Sequence, residues 1–215
     1  SSICHQFRSQ STLHKMIFAY SLFTNGYDIS YYEGLPSQSS FDCLYKNGMR
    51  FAIMEAQMGS TWVQNSIEQY HRAIKSGIKN VDFYIFPTKQ KDPKQQVQDT
   101  IKKLQKAGVL NNNMVWLDIE NHNLFYSSCQ DNIAYVKKLL DGMTSMIGQK
   151  RVGIYSNWVQ WEDIMCGSTE FKQYQIWYPH YDNKQTFSDF KSFGGFTKPS
   201  IKQYNGDQTI CSITG

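Results

Sequence analysis

The segment Val115-Trp116-Leu117-Asp118-Ile119-Glu120, followed by Asn121 and His122, ends an apolar run on two carboxylates. The run reads as a buried strand. Strand side chains alternate, so Asp118 and Glu120 share one face and Ile119 takes the other. At a rise of about 3.3 Å per residue, their Cα atoms lie roughly 6 to 7 Å apart. Two acids that close repel, and one keeps its proton to higher pH than it would alone. A protonated acid beside an ionised partner suits cleavage of a glycosidic bond. One group protonates the leaving oxygen while the other faces the developing positive charge. On spacing alone, the pair reads equally well as a strand running out into a polar loop. A third carboxylate, Asp28 in Gly26-Tyr27-Asp28-Ile29-Ser30, ends the first strand candidate. Asp before Ser is also an ordinary helix-cap arrangement.

These acids need strands to hold them. Strand candidates at 26–30, 51–56, 82–86, 114–119, 152–155, 174–177 and 200–204 are rich in β-branched and aromatic residues and bounded by Gly, Pro or Asn. Helix candidates at 39–47, 61–75, 93–107 and 130–147 lie between them. In the last, Ile133, Val136, Leu139, Leu140 and Met143 follow the spacing of one buried face. Gly48, Gly77 and Gly108 stand where helix C-caps belong. Strand–helix alternation predicts an α/β fold with mostly parallel strands. No helix is predicted after residue 147, and 173–204 reads as consecutive strands. The expected fold is therefore a single-domain, irregular, TIM-like (β/α) barrel with fewer helices than strands. The C-terminal strand ends of such a barrel form the active-site mouth, which is where Asp28, Asp118 and Glu120 would meet.

Composition bounds the rest. The chain has 215 residues, 40% hydrophobic and 19% charged, which suits one globular domain. Fourteen Tyr, thirteen Phe and five Trp read as a Tyr-rich core or as flat faces for sugar rings. The formal charge is +4 with the basic residues scattered, so no stripe for nucleic acid is present. That mild excess suits an anionic wall surface and equally an ordinary soluble protein. No run approaches the roughly 20 apolar residues of a membrane span. The five cysteines, Cys4, Cys43, Cys129, Cys166 and Cys211, show no zinc-type spacing, and no metal or cofactor is expected. His14 and Lys15 before the apolar 16–23 read as a secretory signal. On that reading residues 1–23 are a leader outside the mature fold, 24–215 is the barrel domain, and four cysteines remain for two disulfides. The alternative is a cytosolic protein with five free thiols.

The ordered series GYDIS, FAIMEAQMGS, FYIFP, VWLDIE, VGIYSNW, YQIWYPHY and IKQYNGD resembles the glycoside hydrolase family 25 lysozymes, the Chalaropsis-type muramidases. The likeness spans residues 26 to about 206. It implies an irregular β/α barrel that hydrolyses the β-1,4 bond between N-acetylmuramic acid and N-acetylglucosamine in peptidoglycan. It also implies a monomer, secreted or held in a lysosomal, phagosomal or food-vacuole lumen. By the same likeness Glu120 is the catalytic acid/base, Asp118 stabilises the reacting N-acetyl group, and Asp28 is the first-strand acid. Groove residues would be Tyr84, Tyr155, Trp177, Tyr181, Gln203 and Tyr204. Tyr155 and Trp177 are favoured as sugar contacts, and the other aromatics serve equally well in the core.

Three departures accompany the likeness. The family carries a further aspartate in a V-D-x-N segment, and this chain stops at Ile213-Thr214-Gly215, about where it should begin. Asp182 and Asp207 are local substitutes. Glu55 stands where the family often has Arg, pointing either into the barrel or away from it. Tyr84-Ile85-Phe86 replaces Y-H-F. These departures keep open a weakened or inactive wall- or carbohydrate-binding protein on the same barrel. A chitinase-like hydrolase ranks lower, because no D-x-x-D-x-D run precedes Glu120. Retention through the substrate N-acetyl group is the leading mechanism, with inversion left open. The expected disulfides are Cys129–Cys166 near the mouth and Cys43–Cys211 where the barrel closes.

Overall fold

Strands rich in Val, Ile and aromatic residues alternate with amphipathic helices through most of the chain, and the helices cover the strands' outer face. The computed structural model describes residues 5–8, 23–206 and 208–214. In chain order the elements are β1 His5–Arg8, β2 Phe23–Ile29, α1 Gln38–Lys46, β3 Phe51–Met58, β4 Thr61–Trp62, α2 Ser66–Ser76, β5 Asn80–Phe86 and α3 Pro93–Lys106. They continue with β6 Val115–Asp118, α4 Cys129–Ile147, β7 Val152–Tyr155, α5 Trp158–Met165, β8 Gln175–Pro179, β9 Ile201–Gln203, β10 Thr209–Ile210 and β11 Ile213–Thr214. Strands β2, β3, β5, β6, β7, β8 and β9 lie side by side in parallel. β1 pairs antiparallel with both β2 and β9 and completes the ring. It lies within the stretch read as a leader. Removing residues 1–23 would take β1 away and leave β2 and β9 as facing edges.

Alternation splits the apolar residues into two cores. Outward positions such as Ala52, Met54, Phe83, Ile85, Leu117 and Ile154 pack under the helices. Inward positions form a smaller aromatic core: Phe51, Ile53, Tyr84, Trp116, Tyr155, Trp177 and Ile201. Gly153 pairs in register with Trp116, and a Cβ there would collide with the indole, so only glycine lets that ring fill the barrel.

Two predicted helical features change. The 61–75 helix starts later, because Thr61–Trp62 folds back on β3 as β4. The later third also holds a helix the sequence reading omitted: α5 buries Trp161, Ile164 and Met165, and the Asn157 side chain caps it. The 173–204 stretch, read as consecutive strands, holds only β8 and β9, with an irregular segment between them. Gly77 takes a left-handed φ of 110° as the C-cap of α2. Both expected disulfides are present, Cys43–Cys211 and Cys129–Cys166. The first ties α1 to the β10–β11 hairpin, and the second ties the start of α4 to the end of α5. Cys4 and Asp207 lie outside the described residues.

Candidate active site

The C-terminal strand ends surround a cavity of about 190 Å³ lined by acids and aromatics. Asp28 comes from β2, Glu55 from β3, Tyr84 from β5, Asp118 from β6 with Glu120 just beyond, Tyr155 from β7, Trp177 from β8 and Gln203 from β9. All nine expected site residues but one line this cavity. The exception is Tyr204, one step past inward-facing Gln203, whose hydroxyl meets the Gln185 side chain at 3.0 Å. Tyr181 reaches the rim and is 56% exposed.

The acid-bearing strand end is fixed by its neighbour. The Ile119 N–H donates to the Tyr155 carbonyl at 2.9 Å, and the Ser156 hydroxyl donates to the Ile119 carbonyl at 2.8 Å. Ile119 is thereby pinned outward, and Asp118 and Glu120 turn toward the mouth. Asn121 follows with a left-handed φ of 60°, its N–H donating to Gln160 Oε1 at 2.7 Å. This bend turns the chain away directly after the second acid, two residues past the end of β6.

Gln203 organises the opposite wall. Its Oε1 accepts from the Tyr155 hydroxyl at 2.7 Å and the Tyr181 hydroxyl at 2.9 Å, while its Nε2 donates to Asp28 Oδ2 at 3.2 Å. One amide thus orients two groove aromatics and a carboxylate. The Tyr155 and Trp177 rings meet edge to face at 4.5 Å, and Tyr84 meets Trp177 at 6.1 Å.

Glu55 points inward and is 1% exposed, and with Asp28, Asp118 and Glu120 it makes four carboxylates around one small cavity. Burial raises its pKa to about 7, against the pull of a backbone hydrogen bond from Tyr31 and a side-chain one from Tyr84. The Tyr31 bond, at 2.6 Å, anchors the single 3-10 turn Tyr31–Glu33 that carries Tyr32 to the rim. Burial raises Asp118 well above the usual carboxylate range, and Glu120, Glu55 and Asp28 add to the rise. Glu120 is raised too, by burial and by Asp28. Asp118 Oδ1 is buried with no hydrogen-bond partner among the described residues. A buried acceptor left unmatched is costly, so this atom is poised for a donor on a bound ligand.

Asp182 does not line the mouth. It sits with Asp189 around the fully buried Lys202, whose Nζ lies 2.8 and 3.0 Å from the two carboxylates. His180, Asp182 and Asp189 cluster closely enough to hold a cation, and the Lys202 ammonium already occupies the space between the carboxylates.

Ser30, Tyr32, Met58 and Phe86 line the mouth without having been expected there, and Glu55, left open between inward and outward, points in. The alternation Phe51, Ile53, Glu55 was the available signal for Glu55. The register shift between Glu55 and Gln57 then sends Gln57 outward to Gln96 and Thr100.

A family model described as "Lysozyme-like protein 1" matches residues 21–204. The chain is 34% identical over 190 residues to "Probable GH family 25 lysozyme 2" of Dictyostelium discoideum, covering 88% of this chain and 87% of that one. Its fold is similar to a bacterial lysozyme of Streptomyces coelicolor, with a TM-score of 0.69 at 18% identity over 87% of this chain and 86% of the other. A family GH25 lysozyme of Aspergillus fumigatus gives a TM-score of 0.66 at 19% identity, covering 85% and 87%.

Proposed function

This chain belongs to the glycoside hydrolase family 25 lysozymes, and from that premise we propose that it cleaves the β-1,4 bond between N-acetylmuramic acid and N-acetylglucosamine in bacterial peptidoglycan, with Glu120 as acid/base. The observation that carries the reading is the Asp118–Glu120 pair at the end of β6, raised in pKa and facing Asp28 across one cavity. A carboxyl kept protonated by burial donates to the leaving oxygen. The unmatched Asp118 Oδ1 accepts from the N–H of the substrate N-acetyl group and turns its carbonyl toward the anomeric carbon. Water then opens the resulting ring, with Glu120 taking its proton, and configuration is retained. Tyr155, Trp177 and Tyr181 offer faces and edges to the sugar rings, and Gln203 keeps them in place. The enzyme acts as a monomer and needs no metal in this scheme.

The disulfides support a site of action outside the cytosol, in the extracellular space or an acidic lumen. The test is turbidity loss and release of reducing ends from purified peptidoglycan, with chitin as the second substrate. Glu120→Gln is expected to lower the peptidoglycan rate by at least about a thousandfold while leaving the melting temperature within a few degrees. Full activity in that variant would remove Glu120 from its role. Faster release from chitin would reassign the substrate, and glycan binding without release by the wild type would favour the binding-only protein.

A further inference from the structure

The exposed apolar side chains are unevenly placed. Of the nine large hydrophobic residues exposed among the described residues, only Ile74 lies outside the loops and first helical turns that follow C-terminal strand ends. Tyr31 and Tyr32 follow β2, Trp158 and Val159 follow β7, and Tyr181 follows β8. The barrel thus presents its apolar surface at the end where the acids lie. Helix packing does not require this of Trp158. Helix α5 buries Trp161, Ile164 and Met165, and leaves Trp158, its first residue, 60% exposed.

Trp158 borders a second cavity of about 310 Å³, whose lining includes Tyr178, His180, Asp189 and Phe190. The chain passes from one cavity to the other at the ends of β7 and β8. Tyr155 and Trp177 enter the mouth, and the residues three places further on, Trp158 and His180, enter the second cavity. His180 in one and Tyr181 in the other are chain neighbours. The second cavity also has a fixed polar side. Asp189 Oδ2 meets His180 Nδ1 at 2.6 Å, and the Tyr178 hydroxyl and Lys202 ammonium hold the same carboxylate. The imidazole is thereby oriented through Nδ1, and its Nε2 remains as the second polar atom of the ring. A flat, exposed indole beside an oriented imidazole suits a pyranose ring, whose one face is apolar and whose edge carries hydroxyl and acetamido groups.

We propose that this second cavity is a saccharide subsite, filled by a sugar of the same glycan strand beyond those in the catalytic mouth, with Trp158 as its stacking face and His180 as its polar contact. The inference rests on the glycan-cleaving reading for the identity of the ligand. Its test therefore reads binding separately from cleavage. In the Glu120→Gln background, peptide-free glycan oligomers of two and six sugars prepared from bacterial wall are titrated by calorimetry. The six-sugar oligomer is expected to bind about tenfold tighter than the two-sugar one, the scale of one good stacking contact. Trp158→Ala should remove most of that difference and leave the two-sugar affinity unchanged, and Trp158→Phe should restore it. On intact enzyme, Trp158→Ala should raise KM for polymeric wall with kcat preserved. A length dependence that survives Trp158→Ala, or a loss equal for both oligomers, would overturn the subsite. If wild-type enzyme releases no reducing ends but the Trp158-dependent gain with length persists, the cleavage reading falls and the subsite stands. If neither oligomer binds, both fall.

Discussion

At the residue scale the mouth is a problem of four acids in little space. Asp28, Glu55, Asp118 and Glu120 line one cavity, and burial favours the neutral forms of Glu55, Asp118 and Glu120. A charge left on one acid raises the proton affinity of an acid beside it, and Glu55 stands in that relation to Asp118. Its charge is among the causes that raise Asp118. Glu55→Gln keeps the shape and still accepts from the Tyr31 N–H, but removes the charge. The Asp118–Glu120 pair should then lose its proton more readily. The alkaline limb of the kcat/KM profile should move to lower pH by roughly half to one unit. A limb that stays in place would show Glu55 to be electrically silent and only a clamp for Tyr84 and the Tyr31–Glu33 turn.

At the scale of elements, period decides what a sequence discloses. The parallel strands were legible because outward Ala52, Met54 and Phe83 alternate with inward Ile53 and Tyr84, and that alternation also sets Asp118 and Glu120 on one face. The two-residue β4 was not legible, because so short a pairing has no period and its Thr61–Trp62 abuts a true helix. Helix α5 was hidden by its composition: Trp158-Val159-Gln160-Trp161 is as strand-like as helical, and only burial of Trp161, Ile164 and Met165 on one face separates the two. The second cavity went unseen with it. The disulfide partners were legible from the elements that bear them, and they make a prediction at this scale. Cys129–Cys166 joins residues 37 apart and clamps α4 to α5 behind the acid-bearing loop. The double Cys129→Ser, Cys166→Ser variant is expected to lose about 2 to 4 kcal/mol. For a domain of this size that lowers Tm by roughly 5 to 15 °C, readable by calorimetry. No change in Tm would mean that packing between α4 and α5 already fixes this corner.

For the whole molecule, the buried acids set how stability depends on pH. Burial holds Glu55 at about 7 and Asp82, near the start of β5 against Trp116, at about 6, and Asp118 and Glu120 are raised as well. A carboxyl with a folded pKa above its unfolded value contributes stability that is complete below the unfolded value. That stability is lost as pH rises through the folded one. The window therefore opens near pH 4 and runs to about 7, and for Glu55, raised from 4.5 to about 7, the loss is on the order of 3 kcal/mol. The opposite sign belongs to Asp182 and Asp189. Burial works against their charges, but hydrogen bonds outweigh it, from Lys202 for Asp182 and from His180 and Lys202 for Asp189, and both pKa values are lowered. Their contribution is present above the unfolded value of 3.8 and fades as pH falls below it. The two groups squeeze stability from either side, so Tm should peak between about pH 4 and 5 and fall steadily toward pH 8. The net positive charge grows as pH drops and opposes this, so the scan belongs at about 0.15 M salt, where exposed charges are largely screened. Glu55→Gln should flatten the descending side above pH 5 and leave the acid side unchanged. A Tm that climbs from pH 5 to pH 8 would mean that the barrel's acids are paid for in some other way, and that the mouth is not tuned to an acidic compartment.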